Sequence, residues 1–273
     1  WQMYLPSDNP SSLVAWFRKG VGVTSSGGFA SAWADQSGNA HDLLQATGTK
    51  QPAYDGSAIL TFDGVDNYMK CAPFTLNQPA QFSFLINNIT WTTDDYICDG
   101  NSGDTQIIGT TVVLVTPQQT MYAGTGIAAT NSNLTLGAFH ALTGLFNGAS
   151  SSLVVDATTV TTGNPGAANA GGFALASGAV GTAHFSNIAV KEIIIRNVAD
   201  ATIRAADHQY LIDLQNDVIP VANFSGTPLT GAPSLSVAFT DSSTNSPREW
   251  LWDFGDGNTA TTQNPSHTYA TDG

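Results

Sequence analysis

A chain of 273 residues with 8 Lys and Arg against 21 Asp and Glu carries a formal charge of −13 at pH 7. That balance excludes binding to nucleic acid through phosphate neutralisation, and no apolar run approaches the roughly 20 residues needed to span a bilayer, so no membrane insertion is expected. Charged residues are only 11%, well under the roughly 25% of an ordinary domain, which suits a surface-exposed all-β protein.

In chain order, short apolar segments alternate with turn residues. Strands are predicted over Ile59–Phe62, Gln81–Ile86, Ile107–Val115, Ala141–Phe146, Ser152–Val155 and Val190–Ile195. Asp55-Gly56, Asp63-Gly64, Asp99-Gly100 and Asn147-Gly148 lie between or beside them and tolerate the positive φ of tight turns. Strands at this spacing imply a sandwich or barrel. The Gly- and Ala-rich stretch from Gly163 to Gly178 reads as a long flexible loop. One amphipathic helix is predicted between Asp200, placed as its N-cap, and Asn216, with Ile203, Ala206, Tyr210, Leu211 and Leu214 at helical intervals. Asp217-Val218-Ile219-Pro220 reads as a linker, because Pro cannot continue a helix. Two domains are therefore expected, residues 1–218 and 219–273. A start at Trp1 without Met, and with no basic segment ahead of an apolar one, leads to the expectation of a piece of a longer chain.

Three segments carry a resemblance. Ser12-Leu13-Val14-Ala15-Trp16-Phe17, then Ala32-Trp33-Ala34-Asp35-Gln36-Ser37-Gly38-Asn39, then Phe62-Asp63-Gly64-Val65-Asp66-Asn67-Tyr68 resemble the opening of laminin G-like modules of the concanavalin A-like lectin/glucanase superfamily. Ala141 to Asp156 and Ile188 to Leu214 resemble its later strands and C-terminal helix. The resemblance spans residues 10 to 216 and implies a two-sheet jelly-roll sandwich. Further on, Phe239-Thr240-Asp241-Ser242-Ser243, Trp250 to Gly257 and Asn264-Pro265-Ser266-His267-Thr268-Tyr269 resemble a PKD domain, which implies an immunoglobulin-like sandwich of extracellular multidomain proteins. The departure is at Gly273, where that family adds its last strands; an unpaired edge and an incomplete core are expected.

The superfamily implied by the first resemblance includes glycanases, which need two carboxylates facing each other across the scissile bond. The two glutamates, Glu192 and Glu249, fall in different predicted domains, and no GxSxG, HExxH or Walker pattern is present. The chain is expected not to be an enzyme. Gly124 to Ala129 imitates a dinucleotide fingerprint but lacks a βαβ context and reads as a turn. The loop from Trp91 to Asp104 concentrates polar groups. Its Asp99 and Asp104 are candidate calcium ligands, calcium being the one cofactor suggested, although the spacing matches no EF-hand. Trp91, Tyr96 and Tyr122, with Asn101, are candidate carbohydrate-binding residues, since aromatic faces pack on the CH faces of a pyranose while amides bond its hydroxyls. Trp16, Trp33, Trp250 and Trp252 are expected in packed cores. Cys71 and Cys98 show no CxxC spacing and are open to either a disulfide or two buried thiols.

The expected function is a non-catalytic binding module at an extracellular or virion surface. It would take a glycan or other surface ligand, beside neighbouring structural proteins or copies of itself, in a phage appendage or decoration protein. The alternatives are a structural lattice or spacer protein and the ancillary carbohydrate-binding region of a secreted bacterial polysaccharide-degrading protein.

Overall fold

The computed structural model describes residues 4–90, 92–101, 106–109, 118–124, 128–131, 134–157, 160–178, 181–216, 221–244, 247 and 250–270. It is all-β apart from one α-helix and short 3-10 turns, and it divides into two compact units. One comprises residues 6–215; the other comprises 216–273 together with 1–5.

The larger unit is built on antiparallel pairs. One run of neighbours passes from Thr161–Gly163 through Ser151–Val155, Phe139–Phe146 and Ala80–Asn88 to Asn187–Arg196. The first half of Asn187–Arg196 continues to Leu60–Asp63, and its second half to Leu13–Phe17. A second run passes from Ala128–Asn131 through Gln119–Tyr122, Ile107–Gly109, Tyr96–Asp99 and Ala174–Leu175 to Met69–Lys70 and Leu43–Leu44. Phe29–Trp33 joins the two. Its Trp33 end pairs with Leu43, and Phe29 pairs with Ala53 of the short strand beside Leu60–Asp63.

The side-chain period of two explains the filling. Phe82, Phe84 and Ile86 alternate into a core shared with Phe146, Ile193, Ile195 and Phe173, and the Phe82 and Phe173 rings stack at 5.9 Å. Trp16 and Trp33 are buried as expected. The same alternation turns Gln81, Ser83, Thr143, Glu192 and Arg196 to the opposite face of the sheet, and all five are buried. The helix Ala201–Gln215 lies against the strands that carry Gln81 and Thr143, its Asp200 cap accepting hydrogen bonds from the amides of Thr202 and Ile203. Polar groups fill that interface. Arg196 donates to Asp207 at 2.6 and 2.9 Å, Gln81 to Asp207 at 2.8 Å, and Glu192 accepts from Trp16 Nε1, the Lys19 amide and the Tyr210 hydroxyl.

Two expectations change. The stretch from Gly163 to Gly178 is not a flexible loop: Ala170 and Phe173 to Ser177 are buried, and Ala174–Leu175 is a strand. Its backbone bonds to Ala123, Cys71 and Leu76 at about 3 Å. Small side chains let a bare backbone run inside a sandwich, provided each N–H and C=O finds a partner. Gly56, Gly64 and Gly148 take positive φ, whereas Gly100 does not and follows a paired strand end. Cys71 and Cys98 are unbridged and buried. The predicted strand Ile107–Val115 is present as Ile107–Gly109, its remainder lying outside the described residues.

In the smaller unit, Phe224–Thr227, Leu235–Asp241 and Ser266–Tyr269 form one antiparallel sheet, and Trp252–Asp253 pairs with Thr259–Ala260. Trp252 and Phe254 pack on Phe239 at 5.6 and 5.3 Å, and Gly257 takes positive φ in the turn. Trp250 and Trp252 are only partly buried; their indole N–H groups donate to Asp241 and to the Thr262 carbonyl. Among the described hydrophobic residues here, Val237 alone is fully buried.

Candidate functional site

A groove of about 470 Å³ opens on the larger unit and is lined by Leu44–Thr47, Tyr68, Lys70–Pro73 and Asn101. The register builds it. Leu44 faces Lys70, Lys70 faces Ala174 and Ala174 faces Asp99, so the chain brings four separate segments together within one sheet. Leu43 and Met69 turn into the core while Leu44 and Lys70 turn out to solvent.

The walls are pinned by their own hydrogen bonds. Gln45 is buried and its amide donates to the Tyr68 carbonyl at 3.0 Å while accepting from the Thr47 amide at 3.0 Å. Gln51 donates to the Gln45 carbonyl at 2.9 Å, and the Tyr68 amide donates to the Lys50 carbonyl at 3.3 Å. Asn101 is fixed by its backbone N–H on Ala170 at 2.9 Å and reaches the Cys71 carbonyl with its side chain at 3.4 Å. Two glycines make room. Gly172 has φ +141°, and a Cβ there would fall 2.5 Å from Asn101 Cβ; at Gly181, with φ +62°, a Cβ would fall 2.3 Å from Tyr68 Cζ. Only glycine admits both the backbone angle and the approach.

Tyr68 is half-buried, its ring near Phe185 at 6.3 Å and beneath the Lys50 ammonium at 5.8 Å, within cation–π range. Cys71 closes the floor and donates to the His41 carbonyl at 3.0 Å. Burial, then the charges of Asp35 and Asp42, pushes its thiol well above the ordinary range, so no thiolate nucleophile exists here at neutral pH. The arrangement offers an aromatic face, amide and hydroxyl groups, and an ammonium. These are the contacts a sugar ring needs.

The six residues singled out from sequence separate. Asn101 lines the groove. Tyr96 is 7% exposed with the His184 ring stacked on it at 4.2 Å, which takes away the open face a sugar platform requires. Tyr122, partly exposed, ends the strand paired with Ile107 and is not among the lining residues. Asp99 is 1% exposed and accepts from the Gly100 amide at 2.7 Å. Trp91 and Asp104 lie outside the described residues. Among the described residues no group of three His, Cys, Asp or Glu is placed to hold a metal. Tyr68, Gln45, Thr47 and Lys70 were missed as site residues. Tyr68 closes the Asp63-to-Tyr68 segment that sequence reading used for fold alone.

Residues 217–273 match the PKD domain family. No curated protein matches the sequence. Among solved structures the chain resembles a Trypanosoma rangeli sialidase in complex with sialic acid, at TM-score 0.51 and 12% identity over 75% of this chain and 33% of the sialidase. It also resembles an arabinofuranosidase complexed with arabinofuranosyl-α-1,2-xylobiose, at TM-score 0.52 and 12% identity over 94% of this chain and 80% of that one. A GH54 α-L-arabinofuranosidase soaked with cyclic sulfate inhibitor aligns at TM-score 0.52 and 12% identity over 93% and 69%. The chain thus spans a third of the sialidase's length, and at these identities the likeness is one of fold.

One expectation is overturned. The chain was expected not to be an enzyme for want of a paired-glutamate strand, yet its fold is shared with glycoside hydrolases, so that missing motif excludes one glucanase type and not glycoside chemistry.

Proposed function

We propose that the 6–215 unit recognises a glycan in the groove beside Tyr68 and belongs to an extracellular carbohydrate-active protein, with the PKD unit as its companion domain. The observation that carries the reading is the convergence of Tyr68, the Asn101 amide and Thr47 on one open groove. An aromatic face takes the apolar side of a pyranose or furanose, and the polar groups fix its orientation through hydroxyls. The shared fold with carbohydrate-active enzymes supports this, and the PKD match supports the extracellular setting. Of the readings open at the outset, the carbohydrate-binding region of a secreted polysaccharide-degrading protein fits best.

Hydrolysis would require two carboxyls across the bond. The fold shared with glycoside hydrolases leaves turnover open, and it is measured beside binding. The full chain is titrated against pentose-, hexose- and uronate-containing oligosaccharides, with release of 4-nitrophenol from 4-nitrophenyl α-L-arabinofuranoside followed in parallel. Saturable binding weakened about fivefold or more by Tyr68→Ala is expected, from loss of an aromatic contact worth on the order of 1 kcal/mol or more. Equal binding by wild type and Tyr68→Ala would sink the groove as the site.

A further inference from the structure

Resting on that reading, the inference concerns which glycan. The chain holds 8 basic residues against 21 acidic ones; one of the eight, Lys70, lines this groove, and Lys50 lies 5.8 Å from the ring of Tyr68, another lining residue. Arg196 is locked to Asp207, Arg18 lies over the Trp16 ring and Lys191 over the Phe139 ring. Among the described residues neither Lys50 nor Lys70 has a carboxylate within ion-pair distance, and the groove lining contains no carboxylate. Asp35 and Asp42, whose charges reach Cys71, are turned to other donors: Asp35 accepts from the Trp16, Ser37 and His41 amides, and Asp42 from the Asp35 amide. Asp99 is buried below the surface. In a chain of charge −13 a groove lined by an ammonium and by no described carboxylate, with a second ammonium beside its tyrosine, is a local reversal of sign.

We infer that the groove selects an acidic glycan, its ring on Tyr68 and its carboxylate or sulfate on Lys70 with Lys50 beside it. The chain's overall negative charge disfavours an anionic ligand at long range, but that repulsion is screened beyond a Debye length of about 8 Å at physiological salt. Short-range contacts therefore decide, and a compact ammonium is suited to a carboxylate or sulfate oxygen. Lys70 is held for this by its register between Leu44 and Ala174, which aims it outward next to Asn101.

The test uses the full chain and probes that differ in charge alone. Tetragalacturonate is compared with its methyl ester, and dextran sulfate oligosaccharides with dextran, by calorimetry at low and high salt. The acidic member of at least one pair is expected to bind about fivefold tighter at low salt, with the preference shrinking as salt screens it. Which pair shows it identifies carboxylate or sulfate as the anion. Lys70→Gln is expected to abolish the preference while leaving the neutral probe bound, which also shows that the variant is folded. Lys191→Gln, with the same change in net charge, is expected to leave the preference intact. Equal binding of acid and neutral forms overturns the inference and leaves glycan recognition standing, as does an equal effect of Lys191→Gln and Lys70→Gln. Failure of every glycan, acidic or neutral, overturns both.

Discussion

Glu192 shows how one residue's surroundings set its chemistry. It is fully buried and accepts from Trp16 Nε1 at 2.5 Å, the Lys19 amide at 2.5 Å and the Tyr210 hydroxyl at 3.0 Å. Burial nonetheless outweighs these donors and lifts its carboxyl from 4.5 to about 7. Because the folded value is the higher one, the folded state binds the proton more tightly than the unfolded chain. Its contribution is fully present below pH about 4.5 and is lost as pH rises through about 7, a difference on the order of 3 kcal/mol. His140, raised mainly by its hydrogen bond to Asp156, adds to that slope, and His208, lowered by burial, opposes it. Glu192→Gln isolates the carboxyl: urea unfolding between pH 4.5 and 8 is expected to show wild type losing about 3 kcal/mol more than the variant. Parallel curves for the two proteins would assign the slope to other groups.

At the scale of elements, the helix Ala201–Gln215 is held by both apolar and ionic contacts. Tyr210, Leu211 and Leu214 bury as their spacing predicts, and Asp207 buries with them. The apolar pattern does not reveal Asp207, because its burial depends on Arg196, which comes from another element and also donates to the carbonyls of Pro6 and Asn9. A buried ion pair stabilises less than its Coulomb energy suggests, but removing one partner strands the other charge. Asp207→Ala is expected to cost about 3–5 kcal/mol in urea unfolding, against less than 1 kcal/mol for typical exposed helix substitutions such as Thr202→Ala. A cost for Asp207→Ala as small as for Thr202→Ala would mean that Arg196 finds another partner.

At the scale of the molecule, two units with separate sheets share one chain. Each closes its backbone hydrogen bonds within itself in the described strands, and Pro220 follows the boundary at Gln215 in sequence. Limited proteolysis is expected to cut within residues 216–221 and to release an N-terminal fragment containing residues 6–215 that retains the glycan affinity of the intact chain. Loss of that affinity in a folded fragment would show that the groove depends on the smaller unit.

Periodicity carried the element types. Alternation at Gln81 to Ile86 and Val190 to Ile195, the helical spacing from Ile203 to Leu214 and the Asp-Gly and Asn-Gly turns are local signals, written in each segment's own side chains. The aromatic positions around Phe239, Trp252 and Phe254 likewise announced the PKD unit, which the family match over 217–273 supports. What depends on contacts distant in sequence was not legible. The Gly163–Gly178 stretch has a loop's composition and a core's burial, because its partners are Ala123, Cys71 and Leu76. Tyr96 stands in a polar, aromatic stretch that reads as a sugar platform, yet the His184 ring covers it. The groove itself forms where Leu44, Tyr68, Lys70 and Asn101 meet through strand register. Local sequence sets which residues alternate and where the chain turns; register decides which alternating faces become neighbours, and a binding groove is made of neighbours.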